Sequence, residues 1–169
     1  MSAMDGLVEA QIPRLRRYAR ALTGDAVRAD DLVQDTLERA WGRRHLWRAG
    51  TDLRAWLFTV MHNVFLNQRR SARPATDFVE LDDTLPLPAR PDGADVQLEL
   101  RDVATALAQL PAEYREVLLL VALEELRYED VAKVLAIPVG TVMSRLSRAR
   151  ERLRAMTQGQ PVPTLRRVK

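Results

Sequence analysis

The pattern that decides the fold is the stretch VGTVMSRLSRARERLRA, residues 139–155. Its apolar residues recur at spacings of three and four, which stacks them on one face of an α-helix. They are Val139, Val142, Leu146, Ala149 and Leu153. Arginines line both flanks of this face, and the opposite side carries Gly140, Ser144 and Ser147. Small side chains let a backbone approach base edges while cations bind phosphates, so the stretch predicts a helix that reads the DNA major groove.

The residues just before this helix complete a helix-turn-helix. The segment YEDVAKVLA, residues 128–136, predicts a short helix with Val131, Ala132 and Leu135 facing inward. The turn is IPVG, and Pro138 lies where a new helix begins and no N–H donor is needed. Two short helices joined in this way, the second one basic, form a DNA-reading unit. The alternative is an arginine-rich solvated helix in an ordinary bundle, and the turn before the helix weighs against it.

Charge is distributed in blocks along the chain of 169 residues, although the formal net charge is only +3. Residues 1–73 carry 13 basic and 8 acidic side chains, residues 74–127 carry 4 and 12, and residues 128–169 carry 9 and 3. Two basic blocks separated by an acidic one predict two surfaces that meet polyanions. Of the 26 basic residues 24 are arginine, which suits phosphate and base-edge recognition, although a GC-rich genome produces the same bias.

The composition excludes several classes of protein. There is no cysteine, which rules out disulfides and thiolate metal sites and fits a reducing cytoplasm. The longest apolar run, Val117–Leu123, is far shorter than the roughly 20 residues of a membrane span. The beginning of the chain lacks the pattern of a signal peptide. The sequence contains no phosphate loop, nucleophile elbow or plausible catalytic carboxylate pair, so we expect no enzyme, no cofactor and no metal site.

Helical periodicity lies on both sides of a proline-rich acidic segment. The first part predicts helices from Pro13 to about Leu22, from about Ala29 to Trp41 and over about Leu53–Arg70, the last capped by Thr51 or Asp52. The second part predicts helices over about 96–109, 111–124, 128–135 and 139–155. The class is therefore all-α, with two small helical domains joined by a flexible acidic linker. The expected division is a first domain 1–72, a linker 73–95, a second domain 96–156 and a basic tail 157–169.

Three motifs in this order carry a resemblance to a known family. They are DDLVQDTLERAW (30–41), DLRAWLFTVMHN (52–63) and GTVMSRLSRARERL (140–153). Over about residues 10–155 the chain resembles bacterial RNA polymerase sigma factors of the extracytoplasmic-function type. The resemblance implies a promoter-specificity subunit of the polymerase. Its first domain would dock on core polymerase and melt the minus-ten element, and its second would read the minus-thirty-five element.

The resemblance also implies roles for individual residues. Those at the positions that dock on core polymerase are Asp31, Leu32, Gln34, Asp35 and Leu37. Those expected at the minus-ten element are Trp47, Asn63, Asn67, Arg69 and Arg70, with Asn63 matching a pocket for a flipped-out base. Those expected at the minus-thirty-five element are Thr141, Ser144, Arg145, Ser147, Arg148 and Arg150. Arg145 and Arg150 would touch phosphate or fix the helix rather than read bases.

Two positions depart from the family's pattern. Ala136 stands where many members have glycine, and a left-handed backbone there would cost alanine about 1 kcal/mol. Arg127 precedes Tyr128 where a capping serine or threonine is expected, so the start of that helix is less firm.

The expected partners are core RNA polymerase, promoter DNA and an anti-sigma protein that clamps the two domains, with the chain itself a cytoplasmic monomer. The alternative function is that of a conventional helix-turn-helix regulator that binds DNA without polymerase. That alternative explains residues 128–153 but not the motif at residues 30–41. Such regulators usually dimerise on two half-sites.

Overall fold

A computed structural model describes residues 2–71 and 94–158. Seven α-helices and one 3₁₀ turn make up these residues, and no strand occurs among them, which confirms the all-α prediction. The first module contains α1 (Ala3–Thr23), α2 (Ala26–Gly42), the 3₁₀ turn (Arg44–Leu46) and α3 (Leu53–Ser71). The second contains α4 (Ala94–Gln109), α5 (Ala112–Ala122), α6 (Tyr128–Leu135) and α7 (Val139–Thr157). Residues 73–93 of the predicted linker and nearly all of the predicted tail lie outside the described residues, and the last two residues of that linker, Ala94 and Asp95, belong to α4.

Helix α1 begins ten residues before the predicted start. The Ser2 side chain accepts a hydrogen bond from the Met4 N–H, and the Asp5 carboxylate accepts one from the Ser2 N–H at 2.7 Å. This capping box starts the helix, and Pro13 then lies inside it rather than in its first turn. The expectation that Pro13 opens the helix is therefore wrong. The predicted inward face is confirmed, because Leu15, Tyr18, Ala19 and Leu22 are all buried.

Local signals set the other boundaries of the first module. Gly24 ends α1 in the left-handed region at φ 69°, a conformation that glycine adopts without strain. Asp25 then caps α2 by accepting a hydrogen bond from the Val27 N–H, so α2 starts three residues earlier than predicted. Asp52, rather than Thr51, caps α3, because its carboxylate accepts a 3.2 Å hydrogen bond from the Ala55 N–H.

The second module contains the predicted helix-turn-helix. Helix α6 has the predicted bounds, with Val131, Ala132 and Leu135 buried. Ala136 ends it in the left-handed region at φ 54° and ψ 47°, which is the conformation in which alanine in place of glycine is costly. No side chain caps its start at Arg127, which is also as expected. Helix α7 follows the turn directly.

The two modules pack against each other. Helices α1 and α3 lie against α5 and α6, and one cluster of buried apolar side chains runs through both modules. Within the first module, Tyr18 and Phe58 meet edge to face, with ring centroids 5.0 Å apart. Within the described residues, no helix has the length and apolar character needed to cross a membrane.

Candidate nucleic-acid interface

Helix α7 presents a small polar face away from its module. Val142, Leu146 and Ala149 are buried almost completely against the rest of the module. On the other side Ser144 and Ser147 are exposed, as are Gly140 and Glu151. A Cβ added at Gly140 would meet no atom within 4 Å, so this turn of the helix stands clear of the rest of the fold. The face predicted for base edges is therefore open. Val139 departs from the predicted apolar seam, because at the first position of the helix it is 37% exposed.

The cations beside this face differ in how they are held. Arg150 is exposed, whereas Arg145, Arg148 and the neighbouring Thr141 are half-buried. Arg145 Nη2 lies 3.9 Å from the Glu113 carboxylate on α5, so this side chain ties α7 to the helix behind it. Fixing the helix was one of its two expected roles. Arg148, between the reading face and the flank, makes no ion pair within the described residues.

A second polar face lies on the C-terminal half of α3. Asn63 and Asn67 are exposed and one turn apart, so they lie on the same side of the helix. Arg69 and Arg70 follow, both exposed, and the Arg69 guanidinium lies over the Phe65 ring at 5.7 Å from its centroid. Amide groups can form hydrogen bonds with unstacked bases, and cations beside them can bind phosphates. The structure brings together four of the five residues predicted for the minus-ten element.

The fifth of these residues, Trp47, has a different environment. It is half-buried and packs against the core, and its indole N–H is buried without an acceptor among the described residues. The exposed aromatic ring in this region is instead Trp41, which is 47% exposed and has the Arg44 guanidinium 5.0 Å from its centroid. Trp41 lies next to Gly42 at the end of α2. This position in the sequence could have indicated that its ring lies outside the core.

The outer face of α2 carries the predicted docking residues, with one exception. Asp31, Gln34 and Asp35 are exposed, so a partner can reach them. Leu32 is completely buried in the free chain, so its role as a docking contact stays a prediction. It lies on the same helix face as the buried Ala29, Val33 and Thr36. Leu37 is half-buried and also packs on the core, so only its outer edge is available to a partner.

A hydrogen bond connects the docking face to the α3 face. The Gln68 side-chain amide donates to Asp35 Oδ2 at 2.8 Å. Gln68 lies on α3 between Asn67 and Arg69, so the carboxylate at the centre of the docking face also fixes the helix that carries the second polar face. Sequence reasoning missed this contact, since 33 residues separate its two partners.

The two modules match two different family models. Residues 8–62 match the model described as the sigma2 domain of PhyR, and residues 100–153 match Sigma-70, region 4. Over 147 residues the chain is 40% identical to the extracytoplasmic-function sigma factor EcfG of Rhodopseudomonas palustris, covering 87% of this chain and 81% of that protein. The chain belongs to the extracytoplasmic-function family of RNA polymerase sigma factors. A second relative of this sigma factor, SigL of Mycobacterium tuberculosis, is 39% identical over 157 residues, covering 92% of this chain and 89% of SigL.

A solved structure shares the arrangement of this sigma factor. It is the sigma factor RpoE of Bartonella quintana in complex with the anti-sigma factor NepR. The two chains superpose with a TM-score of 0.76 at 31% identity, covering 94% of this chain and 98% of that one. The match to both modules excludes the stand-alone regulator, because a helix-turn-helix regulator would not carry the first module.

Proposed function

We propose that this sigma factor binds core RNA polymerase through the outer face of α2 and directs initiation at promoters that α7 and α3 read. The observation that carries the proposal is the presence of two exposed polar faces on two separate helical modules, in the order that the family has. Each face has small or amide side chains at its centre and arginines beside them. One module alone would explain DNA binding but not a polymerase partner.

At the minus-thirty-five element, α7 would enter the major groove with Ser144, Ser147 and Arg148 toward base edges. Thr141 would contribute from the start of the helix. Arg150 would bind phosphate, and Arg145, held by Glu113, would keep the helix at its angle. The short serine side chains support this arrangement because they allow close approach of the helix to the bases.

At the minus-ten element, Asn63 and Asn67 would hold bases that leave the stack, while Arg69 and Arg70 would bind the backbone. The exposure of all four side chains on α3 supports these roles. Trp47 stays a prediction, and stacking of a base on its ring would require it to move off the core.

On the polymerase side, Asp31, Gln34 and Asp35 would make the polar contacts to core enzyme. Catalysis would belong to the polymerase, and the chain would itself be neither an enzyme nor a carrier of a cofactor. It would act in the cytoplasm, where core polymerase and the chromosome are found. An anti-sigma factor is the expected inhibitor, because a relative with the same arrangement was solved with one.

The test is run-off transcription by purified core polymerase with and without the chain, combined with binding of the same promoter duplex to the chain alone. We expect transcripts only when both proteins are present, and weak binding of duplex by the free chain. Absence of any start site with active core enzyme and no inhibitor would overturn the proposal. Tight, sequence-specific duplex binding without polymerase would favour a regulator instead.

A further inference from the structure

Two apolar side chains are exposed at the start of α7, beside its small polar face. Met143 is 53% exposed and Val139 is 37% exposed. They are four residues apart, so Met143 lies one turn after Val139 on the same side of the helix. The adjacent apolar residue Val142 is instead completely buried in the module. Val139 and Met143, which we call the apolar pair, therefore face outward and not toward the core.

The position of the apolar pair distinguishes it from the other exposed apolar residues. Single exposed apolar side chains are normal on a protein surface, and Leu7 on α1 and Val27 on α2 are of this kind. Met143 instead follows Gly140 by three residues and precedes Ser147 by four, so it lies beside both on the helix surface. The apolar pair is therefore one edge of the surface that is proposed to meet the bases.

The two flanks of this polar face differ in what they offer to DNA. One flank begins with the Thr141 hydroxyl and the Arg145 guanidinium. The flank of the apolar pair has no side-chain donor until Arg150, two turns after Met143. Methionine has no N–H or O–H to donate, and its sulfur is a weak acceptor. The side chains of the apolar pair therefore cannot bind phosphate, and they cannot read the polar groups of a base.

One group in the major groove matches an apolar side chain. Each base pair presents acceptors and donors there, and thymine alone adds a methyl group at carbon 5. The N-terminal part of a recognition helix contacts the base edges, and the apolar pair lies in that part of α7. A methionine side chain is flexible enough to pack on a partner of irregular shape. The chemistry and the position of the apolar pair thus point to a thymine methyl group.

We propose that Met143, supported by Val139, reads the 5-methyl group of a thymine in the minus-thirty-five element. The proposal rests on the proposed function, because it requires α7 to enter the major groove. The contact is favourable because it removes the apolar surface of both the side chain and the methyl group from water. Ser144, Ser147 and Arg148 address polar groups, whereas Met143 adds selectivity for an A·T pair at one position.

Deoxyuridine permits a direct test, because it pairs like thymidine and lacks only the methyl group. Core polymerase loaded with this sigma factor, the holoenzyme, first selects promoters from a random library. In one selected duplex, each thymine of the upstream element, on either strand, is then replaced singly by deoxyuridine. The test variant is Met143→Gln, which keeps the length and helix propensity of the side chain but not its apolar end. The matched control is Leu7→Gln, at a position on α1 that is 50% exposed.

We expect one thymine at which loss of the methyl group weakens binding of the parent holoenzyme about three- to fivefold, the effect of burying one methyl group. At that position Met143→Gln should bind the thymine and deoxyuridine duplexes equally. Met143→Leu, which stays apolar, and the control Leu7→Gln should both keep the preference. Changing the side chain and the methyl group separately and together isolates the contact between them. Circular dichroism checks that the variants are folded.

The contact would be overturned if no single methyl group of the upstream element affected binding of the parent holoenzyme. A methyl effect of equal size in the parent and in Met143→Gln would also overturn it, because the methyl group would then be read by another residue. Failure of the proposed function is a different result, since the holoenzyme would then select no promoter at all.

Discussion

The Gln68 amide on α3 donates a 2.8 Å hydrogen bond to the Asp35 carboxylate on α2. The bond connects the surface proposed for polymerase docking with the helix proposed for the minus-ten element. A carboxylate that both faces outward and fixes a neighbouring helix can transmit a change at one surface to the other. Substitutions at Asp35 must therefore be compared with a substitution that removes only the internal bond.

Asp35→Arg should weaken binding to core polymerase by about tenfold or more, because it reverses charge in a polar docking face. Competition against a labelled sigma factor for core enzyme measures the change. Gln68→Ala removes the hydrogen bond but leaves the charge in place, and it should compete nearly as well as the parent. If both variants lose affinity equally, Asp35 acts through α3 and not through the polymerase.

Arg148→Ala should reduce discrimination at one position of the upstream element by about 1–3 kcal/mol, the cost of losing a base contact. Holoenzyme binding to a panel of single-base promoter variants measures this preference. Arg150→Ala is the matched control, since an exposed phosphate contact lowers affinity for every sequence alike and reduces the salt dependence. A uniform loss from Arg148→Ala would assign that residue to phosphate instead.

Ala136→Gly should raise the free energy of unfolding by about 1 kcal/mol, because the residue has a φ of 54°. Denaturant unfolding followed by circular dichroism measures the change. Ala10→Gly, at an exposed position inside α1, should lower stability by a similar amount. Destabilisation by both substitutions would show that Ala136 is not left-handed in solution.

Acidification should favour the folded chain through Glu124, whose side chain is buried. Burial raises the pKa of Glu124 above its ordinary value of 4.5, although Arg17, Arg14 and Arg54 oppose the shift. The buried Tyr18 also faces this carboxylate, and burial and the nearby carboxylates raise its own pKa. Because the folded state binds this proton more tightly than the unfolded state does, the contribution of Glu124 to the free energy of unfolding is greatest at or below the ordinary value and is lost as the pH rises through the raised one.

Denaturant unfolding of the parent chain between about pH 5 and about pH 7 measures this linkage. The part of the free energy of unfolding that comes from Glu124 should fall as the pH rises. In Glu124→Gln, which keeps the shape of the protonated acid, that part of the pH dependence should disappear. A dependence of equal size in Glu124→Gln would contradict the assignment of the effect to Glu124.

Much of the fold could be predicted because its helices carry local signals. Helix α6 was predicted with the bounds it has, since its apolar period and the proline after it are both short-range features. The start of α1 was missed because Pro13 is typical of a first turn, while the capping box at Ser2 and Asp5 lies well upstream. The burial of Leu32 and the half-burial of Trp47 depend on tertiary packing, and the positions of these residues in the sequence carry no information about it.

The contacts between modules could not be predicted. His62 and Glu116 are 54 residues apart, and Arg17 and Glu124 are 107 apart. No periodicity or spacing links such pairs, and a histidine in a DNA-contacting segment was equally compatible with a role at the promoter. Only the packing of α1 and α3 on α5 and α6 shows that these polar residues face another module.

The most direct test of the central claim is mapping of initiation sites on a random promoter library with purified core polymerase. The account predicts two sequence motifs at one fixed spacing. Ser147→Ala should alter only the upstream motif, and Asn63→Ala only the downstream one. A single palindromic motif, or two motifs that respond together to either substitution, would contradict a chain that reads two elements with two separate faces.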